Sequence, residues 1–510
     1  MSEMTLGHLL SERARLTPES EAIIDDKNRY TFDEFNQRVD IFASHLSLAG
    51  VGHGDRIALL ARNSEMHATT VLAAVKLGAI AVVVNWRLAP PEMEHILEDS
   101  EPVALVYQHE FSPLLDKIST KVLPDIQICD AVCESNANEP IVYATIVTAD
   151  EEREKSCLPI NVAIDVNDPA VIMYTSGTTG RSKGAVITHK NLYTAAHSAS
   201  CTIDWNRNQR FLLGAPMFHI GGLFYLFGNI MRGSTTVMLP DFKPALTWEL
   251  IETEQISMMM TVPAMLRAMF DAPEIDTVDR SHLEYLICGG ASVSSELVRE
   301  GAAHNIDVQI VYGATEFTGP ITFWINKDDP NGLGSAGRAI MNAEVAAFDV
   351  QTQKQVCSGR IGELWLRGPM TFAGYWRNEK ASAEVLVNGW YRTGDVGHVD
   401  SEGRVYLKDR LKDVIISGGE NIYPAEIEAV MSKHAAVAEV TVVGHSDERW
   451  GEVPVAYVVQ KPGVVTSEQD LMGHSKEYLA SYKTVKKVVF VDALPKNSVG
   501  KVLRRQLRES

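Results

Sequence analysis

Residues 174–184 read YTSGTTGRSKG, with seven Gly, Ser or Thr residues in front of a single lysine. Glycines let backbone N–H groups converge without interference from a Cβ, and clustered hydroxyls and an ammonium add further donors. The segment Thr175, Ser176, Gly177, Thr178, Thr179 and Gly180, with Lys183, is therefore suited to wrapping an anionic phosphate. The spacing is not that of the Walker A loop, GxxxxGK[ST]. Here Gly177, Gly180 and Lys183 fall at intervals of three, and Gly184 stands where a magnesium-binding Ser or Thr would be. The competing reading is a flexible Ser/Thr/Gly linker.

Further stretches concentrate polar, glycine and charged residues next to apolar runs: APMFHIGGL (215–223), CGGAS (288–292), VYGATE (311–316), YRTGDV (391–396), DRLKDVIISGGENIYPAEIE (409–428) and PKNSVGK (495–501). Each has an ordinary structural explanation when taken alone. Glu316 reads as an exposed carboxylate after a strand, TGD as a turn, His219 as a satisfied core histidine and Lys501 as a surface lysine in a basic tail. Their chemistry has weight only if one framework gathers them.

That framework is legible in alternating patterns. Thr31-Phe-Asp-Glu34 is a capping box opening a helix to about Gly50, and 56–60, a helical stretch at 66–77 and 79–84 repeat strand, helix, strand. Apolar runs at 103–107, 170–174, 211–213, 235–239, 284–288 and 308–311 continue the alternation, which predicts parallel α/β layers with ligands at the carboxyl ends of the strands. After 360 the pattern turns β-rich (IGELWLRG, GRVYLKDR). After 425 it becomes compact α+β, with helix AEIEAVMSKH and strands EVTVVG and VPVAYVVQ. The fold class read here is α/β: a large N-terminal domain, residues 1–410, of parallel layers with a β-rich subdomain, plus a small, mobile α+β C-terminal domain, residues 411–510.

A chain of 510 residues exceeds what one core organises, and 45% hydrophobic with 22% charged residues is an ordinary globular composition. No run approaches the roughly 20 apolar residues of a membrane helix, and the first residues lack the pattern of a signal peptide, so a cytoplasmic protein is expected. Six cysteines (129, 133, 157, 201, 288, 357) lack CxxC spacing, which supports neither a zinc site nor a disulfide framework. The net charge of −19 argues against nucleic-acid binding. From residue 471 onward, however, nine basic side chains face three acidic ones, a local positive patch that reads either as a solvated face or as a place for an anionic ligand.

In order and register, these seven stretches resemble the adenylate-forming superfamily of acyl- and aryl-CoA synthetases, luciferases and peptide-synthetase adenylation domains, across essentially the whole chain. The resemblance implies that Thr175 to Gly180 with Lys183 and Gly184 meet the β- and γ-phosphates of ATP. It places Tyr312 and Gly313 at the adenine, with the backbone of Gly289, Gly290 and Ala291 lining the same pocket. Thr315 would bond the α-phosphate, Glu316 would ligate Mg²⁺, Asp395 would accept from the ribose hydroxyls and Arg410 would contact the ribose or phosphate side. Lys412 matches the hinge of the C-terminal domain, Gly418 and Gly419 the approach of the CoA pantetheine, and His219 the residue between acyl pocket and CoA tunnel. Lys501 matches the catalytic lysine that bridges substrate carboxylate and α-phosphate.

The implied reaction uses MgATP to convert a carboxylic acid to its acyl-adenylate and then CoA to make the thioester, releasing pyrophosphate and AMP. The apolar stretches 219–228 and 258–270 favour a hydrophobic acid, a medium or long fatty acid ahead of an aryl or alicyclic one. A luciferase-like or amino-acid-adenylating enzyme is the alternative, and a homodimer is left open. Val485, Ser498 and Val499 depart from prolines and threonine common at those positions.

Overall fold

The computed structural model describes residues 5–26, 28–131, 141–147, 162–175, 182–417, 420–447, 450–479, 483–496 and 502–508. Local sequence decides where elements begin. Thr31 and Glu34 form the expected capping box, Glu34 N–H donating to Thr31 Oγ1 (3.3 Å) and Thr31 N–H to Glu34 Oε2 (2.8 Å), at the head of helix Phe32–Leu48. The next helix, Glu65–Lys76, is capped by Ser64 and buried all round, which is why its sequence shows no polar face. It ends before Gly78, whose φ of +67° leaves the helical region and whose absent Cβ would lie 2.5 Å from the ring of His53.

The chain divides into two compact units, Met1–Glu344 with Leu366–Tyr391, and Val345–Trp365 with Arg392–Ser510. In the first, one sheet of nine strands runs Arg338–Ala339, Gly319–Trp324, Val308–Ala314, Tyr285–Gly289, Met258–Thr261, Arg210–Leu213, Thr235–Met238, Glu21–Ile24, Arg29–Thr31. Six neighbouring strands, from Val308–Ala314 to Glu21–Ile24, are parallel, and Ile23 pairs with Thr236. A second sheet of eight runs Gly374–Tyr375, Lys183–Thr188, Pro169–Thr175, Ile80–Val83, Arg56–Leu60, Ala104–Tyr107, Ile126–Cys129, Ile141–Val142. Each sheet carries its own core, around Leu212, Met259 and Leu286 in one and Ala58, Val82 and Ile172 in the other.

Two segments form elements that the sequence reading left unassigned. Residues 258–270, read as methionine-rich core or pocket lining, form strand Met258–Thr261 inside the nine-stranded sheet and helix Pro263–Phe270. Methionine lacks the β-branch that marks strands, and only Pro263, at the first helical turn, punctuates the run. The run after the glycine loop is itself a strand, Lys183–Thr188, antiparallel to Pro169–Thr175.

In the second unit, Asp395 to Val399 of strand Trp390–Val399 pair antiparallel with Val405–Arg410. Farther along, Gly451–Gln460 lies against Val437–Asp447 on one side, while its other edge takes Ile415–Ser417 and, in parallel, Lys487–Phe490. Helices Pro424–Met431 and Glu468–Tyr478 contribute Ile427, Met431 and Leu471 to a core with Val442, Ala456 and Val458. Among the described residues no helix is long and apolar enough to cross a membrane, and Cys129, Cys201, Cys288 and Cys357 are free thiols.

Candidate active site

The carboxyl ends of neighbouring parallel strands bring two of the motifs side by side. Gly289 ends its strand opposite Val311 of Val308–Ala314, and a Cβ on it would sit 2.4 Å from the Val311 carbonyl oxygen. Gly290 has a φ of +77°. Both positions therefore demand glycine, and the chain emerges as exposed backbone at Gly290 and Ala291, next to the half-buried Tyr312 and the exposed Gly313. A backbone surface beside an aromatic ring at a strand end is the arrangement a planar base can occupy.

Thr315 and Glu316 follow in a single 3₁₀ turn, Thr315–Phe317. The turn is held from behind: Thr318, at a φ of +58°, donates from Oγ1 to Met370 O (2.7 Å), and Phe372 N–H donates to Glu316 O (3.0 Å). The carboxylate itself is held by Tyr375, whose hydroxyl donates to Glu316 Oε1 at 2.9 Å. Burial, reinforced by the charge of Glu316, pushes the Tyr375 phenol well above its usual range, so it remains a donor. Its backbone N–H is fixed on Ser382 Oγ (2.8 Å).

Tyr375 also reaches the glycine loop. Thr175 and Lys183 face each other as cross-strand partners at the mouth of the hairpin, and Tyr375 pairs with Ala185 on the next strand over. Lys183 Nζ lies 5.2 Å from the centroid of the Tyr375 ring, within cation–π range. One tyrosine thus joins the lysine of the phosphate-suited loop to the carboxylate suited to magnesium, although the two lie far apart in sequence.

His219 stands at the N-terminus of helix Ile220–Arg232, its carbonyl accepting from Leu223 N–H (3.0 Å) and its ring 4.6 Å from that of Phe218. Burial, helped by the charge of Arg87, lowers its pKa to about 4, so the imidazole is neutral near pH 7, and its Nε2 is buried with no hydrogen-bond partner. A Cβ on Gly222 would meet Pro216 O at 2.3 Å, so the helix start and the preceding loop touch backbone to backbone. Asn63 braces the loop, donating to Leu213 O and Ala215 O (2.9 Å each) and accepting from Met217 N–H (2.9 Å). Deeper along the helix, Phe211 stacks on Tyr225 at 4.5 Å and Trp205 fills the space at Gly228, so that part of the apolar stretch is packed core.

In the second unit Asp395 and Arg410 are cross-strand partners, Arg410 Nε lying 2.7 Å from Asp395 Oδ1 and Nη1 donating to Thr393 O (2.9 Å). Lys412 is exposed in the 3₁₀ turn Leu411–Asp413, and its carbonyl accepts from Arg508 Nη1 (3.2 Å). Ser176, Gly177, Thr178, Thr179, Gly180, Gly418, Gly419 and Lys501 lie outside the described residues. The basic tail is not a bare positive patch: Lys483, Lys496, Arg504 and Arg508 are paired with Glu426, Glu439, Glu428 and Asp413 of the same unit.

Sequence reasoning missed Tyr375 and Asn63. Tyr375 sits in the short GYW run between two unremarkable loops, and Asn63 in ARNS after a strand; neither has a spacing signal, because each acts on residues more than fifty positions away. As a test of magnesium, no three His, Cys, Asp or Glu side chains converge among the described residues, and Glu316 offers a single hard oxygen group. That suits an ion which keeps waters and shares its coordination with substrate phosphates, the usual habit of Mg²⁺.

Residues 10–376 match the family model described as AMP-binding enzyme, and residues 426–501 the one described as its C-terminal domain. The chain is 38% identical to a long-chain-fatty-acid–CoA ligase of Mycobacterium tuberculosis over 99% of this chain and 98% of that one. It is 35% identical to an indoleacetate–CoA ligase of Aromatoleum aromaticum at the same coverage. Among solved structures it resembles the o-succinylbenzoate CoA synthetase of Bacillus subtilis in complex with its acyl-adenylate, with 31% identity, a TM-score of 0.87 and coverage of 100% and 99%. The same synthetase with ATP and magnesium ion gives a TM-score of 0.86 at 31% identity, over 98% of each chain.

Proposed function

The chain belongs to the AMP-binding enzyme family, and from that premise we propose that it activates a hydrophobic carboxylic acid, a medium- or long-chain fatty acid ahead of an aryl one, as its CoA thioester. It is an AMP-forming acid–CoA ligase. The observation that supports the site assignment most is the Tyr375 bridge, which takes Lys183 over its ring and Glu316 at its hydroxyl.

In the first half-reaction the acid's carboxylate attacks the α-phosphorus of ATP and pyrophosphate leaves. Lys183 and the loop opening at Thr175 hold the leaving group, Thr315 donates to the α-phosphate, and Glu316 would hold the metal, which when bound would neutralise phosphate charge. Tyr312, with Gly289 to Ala291, receives the adenine, and Asp395, oriented by Arg410, accepts from the ribose. Lys501 neutralises the charge that builds as the carboxylate attacks. In the second half-reaction the CoA thiol displaces AMP. A C-terminal domain turning about Lys412 serves both steps, and Gly418-Gly419 lets the pantetheine approach. His219, neutral and buried, stands between acid and thiol without adding charge to either.

The preference for a fatty acid draws on the apolar helix behind His219, whose Ile220, Leu223 and Phe224 are buried, and on the relative that takes long-chain fatty acids. CoA-dependent AMP formation measured across saturated fatty acids of increasing length, benzoate, indoleacetate and cyclohexanecarboxylate tests it. Fatty acids are expected to give the highest kcat/KM. A preference for a ring acid would move the enzyme to the aryl-acid ligases, and AMP release indifferent to CoA would reject the thioester step.

A further inference from the structure

The C-terminal helix Arg504–Arg508 closes on the short stretch that contains Lys412. Arg504 is mostly buried and its donors are fully engaged. Nη2 donates to both oxygens of Glu428 (2.7 and 2.8 Å), Nε to Thr441 Oγ1 (3.2 Å), and Nη1 is shared between Asp409 Oδ1 and Asp413 Oδ2, each at 3.2 Å. Arg508 adds a bond to Asp413 Oδ1 (3.0 Å) and one to the carbonyl oxygen of Lys412 itself (3.2 Å).

Asp409 lies on the other side of Lys412 from all of these partners except its own strand. Its carboxylate is buried, with 3% of the side chain exposed. It accepts from Arg410 N–H (2.8 Å) and, through Oδ2, from Ala425 N–H (2.8 Å). Ala425 is in the first turn of helix Pro424–Met431, whose N-cap position is Tyr423 rather than one of the small polar residues that usually cap a helix. Asp409 therefore supplies a carboxylate to that helix start from beyond Lys412, where the helix dipole also favours negative charge.

We infer that Asp409 and Arg504 form a latch across Lys412, positioning residues that set the balance between the two arrangements in which the half-reactions occur. The inference rests on the reading of Lys412 as the hinge. Any rotation of the backbone there carries Asp409 away from Arg504 and from Ala425, so the two bonds must open on each cycle. The unequal geometry favours that opening. Glu428 holds Arg504 with two short bonds, whereas Asp409 takes one N–H of Nη1 at 3.2 Å and Asp413 the other at the same distance. When Asp409 leaves, Arg504 stays paired with Glu428, Asp413 and Thr441, so the guanidinium is not left unpaired. Meanwhile Arg508 tethers the carbonyl whose orientation the hinge must change.

The test uses the full-length enzyme in single-turnover assays. One follows adenylate formation from acid and ATP; the other follows thioester formation from supplied acyl-adenylate and CoA. Asp409→Asn keeps the side-chain shape and removes its charge; Arg508→Ala removes the tether at a partly exposed position and guards against a fold defect in the first variant. Lys412→Pro serves as the test of the hinge itself. The ratio of the two rates is expected to move by roughly fivefold or more in both Asp409→Asn and Arg508→Ala, in the same direction, because loss of a charge-assisted bond shifts a two-state balance by its differential contribution. A purely structural role would lower both rates together and leave the ratio alone. If Lys412→Pro separates the half-reactions while Asp409→Asn leaves the ratio unchanged, the latch is overturned and the hinge stands. If Lys412→Pro leaves the ratio unchanged, the hinge reading fails and the latch with it.

Discussion

Tyr375→Phe isolates one bond. The substitution deletes the hydroxyl that donates to Glu316 Oε1 at 2.9 Å and keeps the ring that faces Lys183 at 5.2 Å. A hydrogen bond to a charged group contributes about 1.5–3 kcal/mol. Both partners are half-buried, so water can replace the phenol, and the lower end applies. A loss of ~1.5 kcal/mol corresponds to about a tenfold weakening. The loss should appear in magnesium dependence, since the hydroxyl holds the carboxylate assigned to the metal, whereas retention of pyrophosphate should hold because the ring is intact. Tyr375→Leu removes the ring as well, and the cation–π contribution of ~0.5–1 kcal/mol should then weaken pyrophosphate too. Calorimetric titration with ATP at several magnesium concentrations, alongside pyrophosphate exchange, separates the two effects. A magnesium dependence in Tyr375→Phe within twofold of wild type, or a tighter one, would refute the positioning role.

Lys501→Ala should retain ATP binding by calorimetry and lose pyrophosphate exchange, because the role proposed for the lysine is on charge that develops in the transition state; exchange near the wild-type rate would remove it from the mechanism. A second expectation concerns acid stability. His67, His189 and His219 are each held to about 4, chiefly by burial, against about 6.5 in an unfolded chain. The unfolded state therefore binds more protons between those values, so these histidines cost nothing above about pH 6.5 and stability falls as pH drops toward 4, at up to about 4 kcal/mol per pH unit for the three together. Urea midpoints that stay constant from about pH 7 to about pH 5 would contradict this.

The fold was legible where local chemistry decides it. The capping box at Thr31 and Glu34, the glycine stop at Gly78 and the parallel strands followed by polar loops all stand where the pattern places them. Strand Met258–Thr261 was not legible, because buried methionines carry neither period nor β-branch, and strand Lys183–Thr188 was hidden behind a loop whose chemistry drew attention to itself. In the site, motif residues that sit on adjacent strand ends, such as Gly289 and Tyr312 or Asp395 and Arg410, came together because register places them there. Tyr375, Asn63 and Arg504 were invisible as partners, since each acts by one or two bonds across a long stretch of chain, and no spacing encodes such a contact.

The parallel pairing of Glu21–Ile24 with Thr235–Met238 has a consequence for synthesis on the ribosome. Arg29–Thr31 covers one edge of the first strand almost at once, but the other edge waits for a partner roughly two hundred residues later, about 10–40 s at ordinary elongation rates. During that interval an apolar strand edge is open to other chains, so a chaperone that shields the nascent N-terminus should raise the yield of native enzyme. The glycine-loop hairpin waits in the same way, since Lys183–Thr188 gains Gly374–Tyr375 as neighbour only after a comparable delay. A prematurely terminated chain ending before Tyr375 would carry Lys183 and Glu316 without the ring that joins them, so truncated products should be unable to consume ATP.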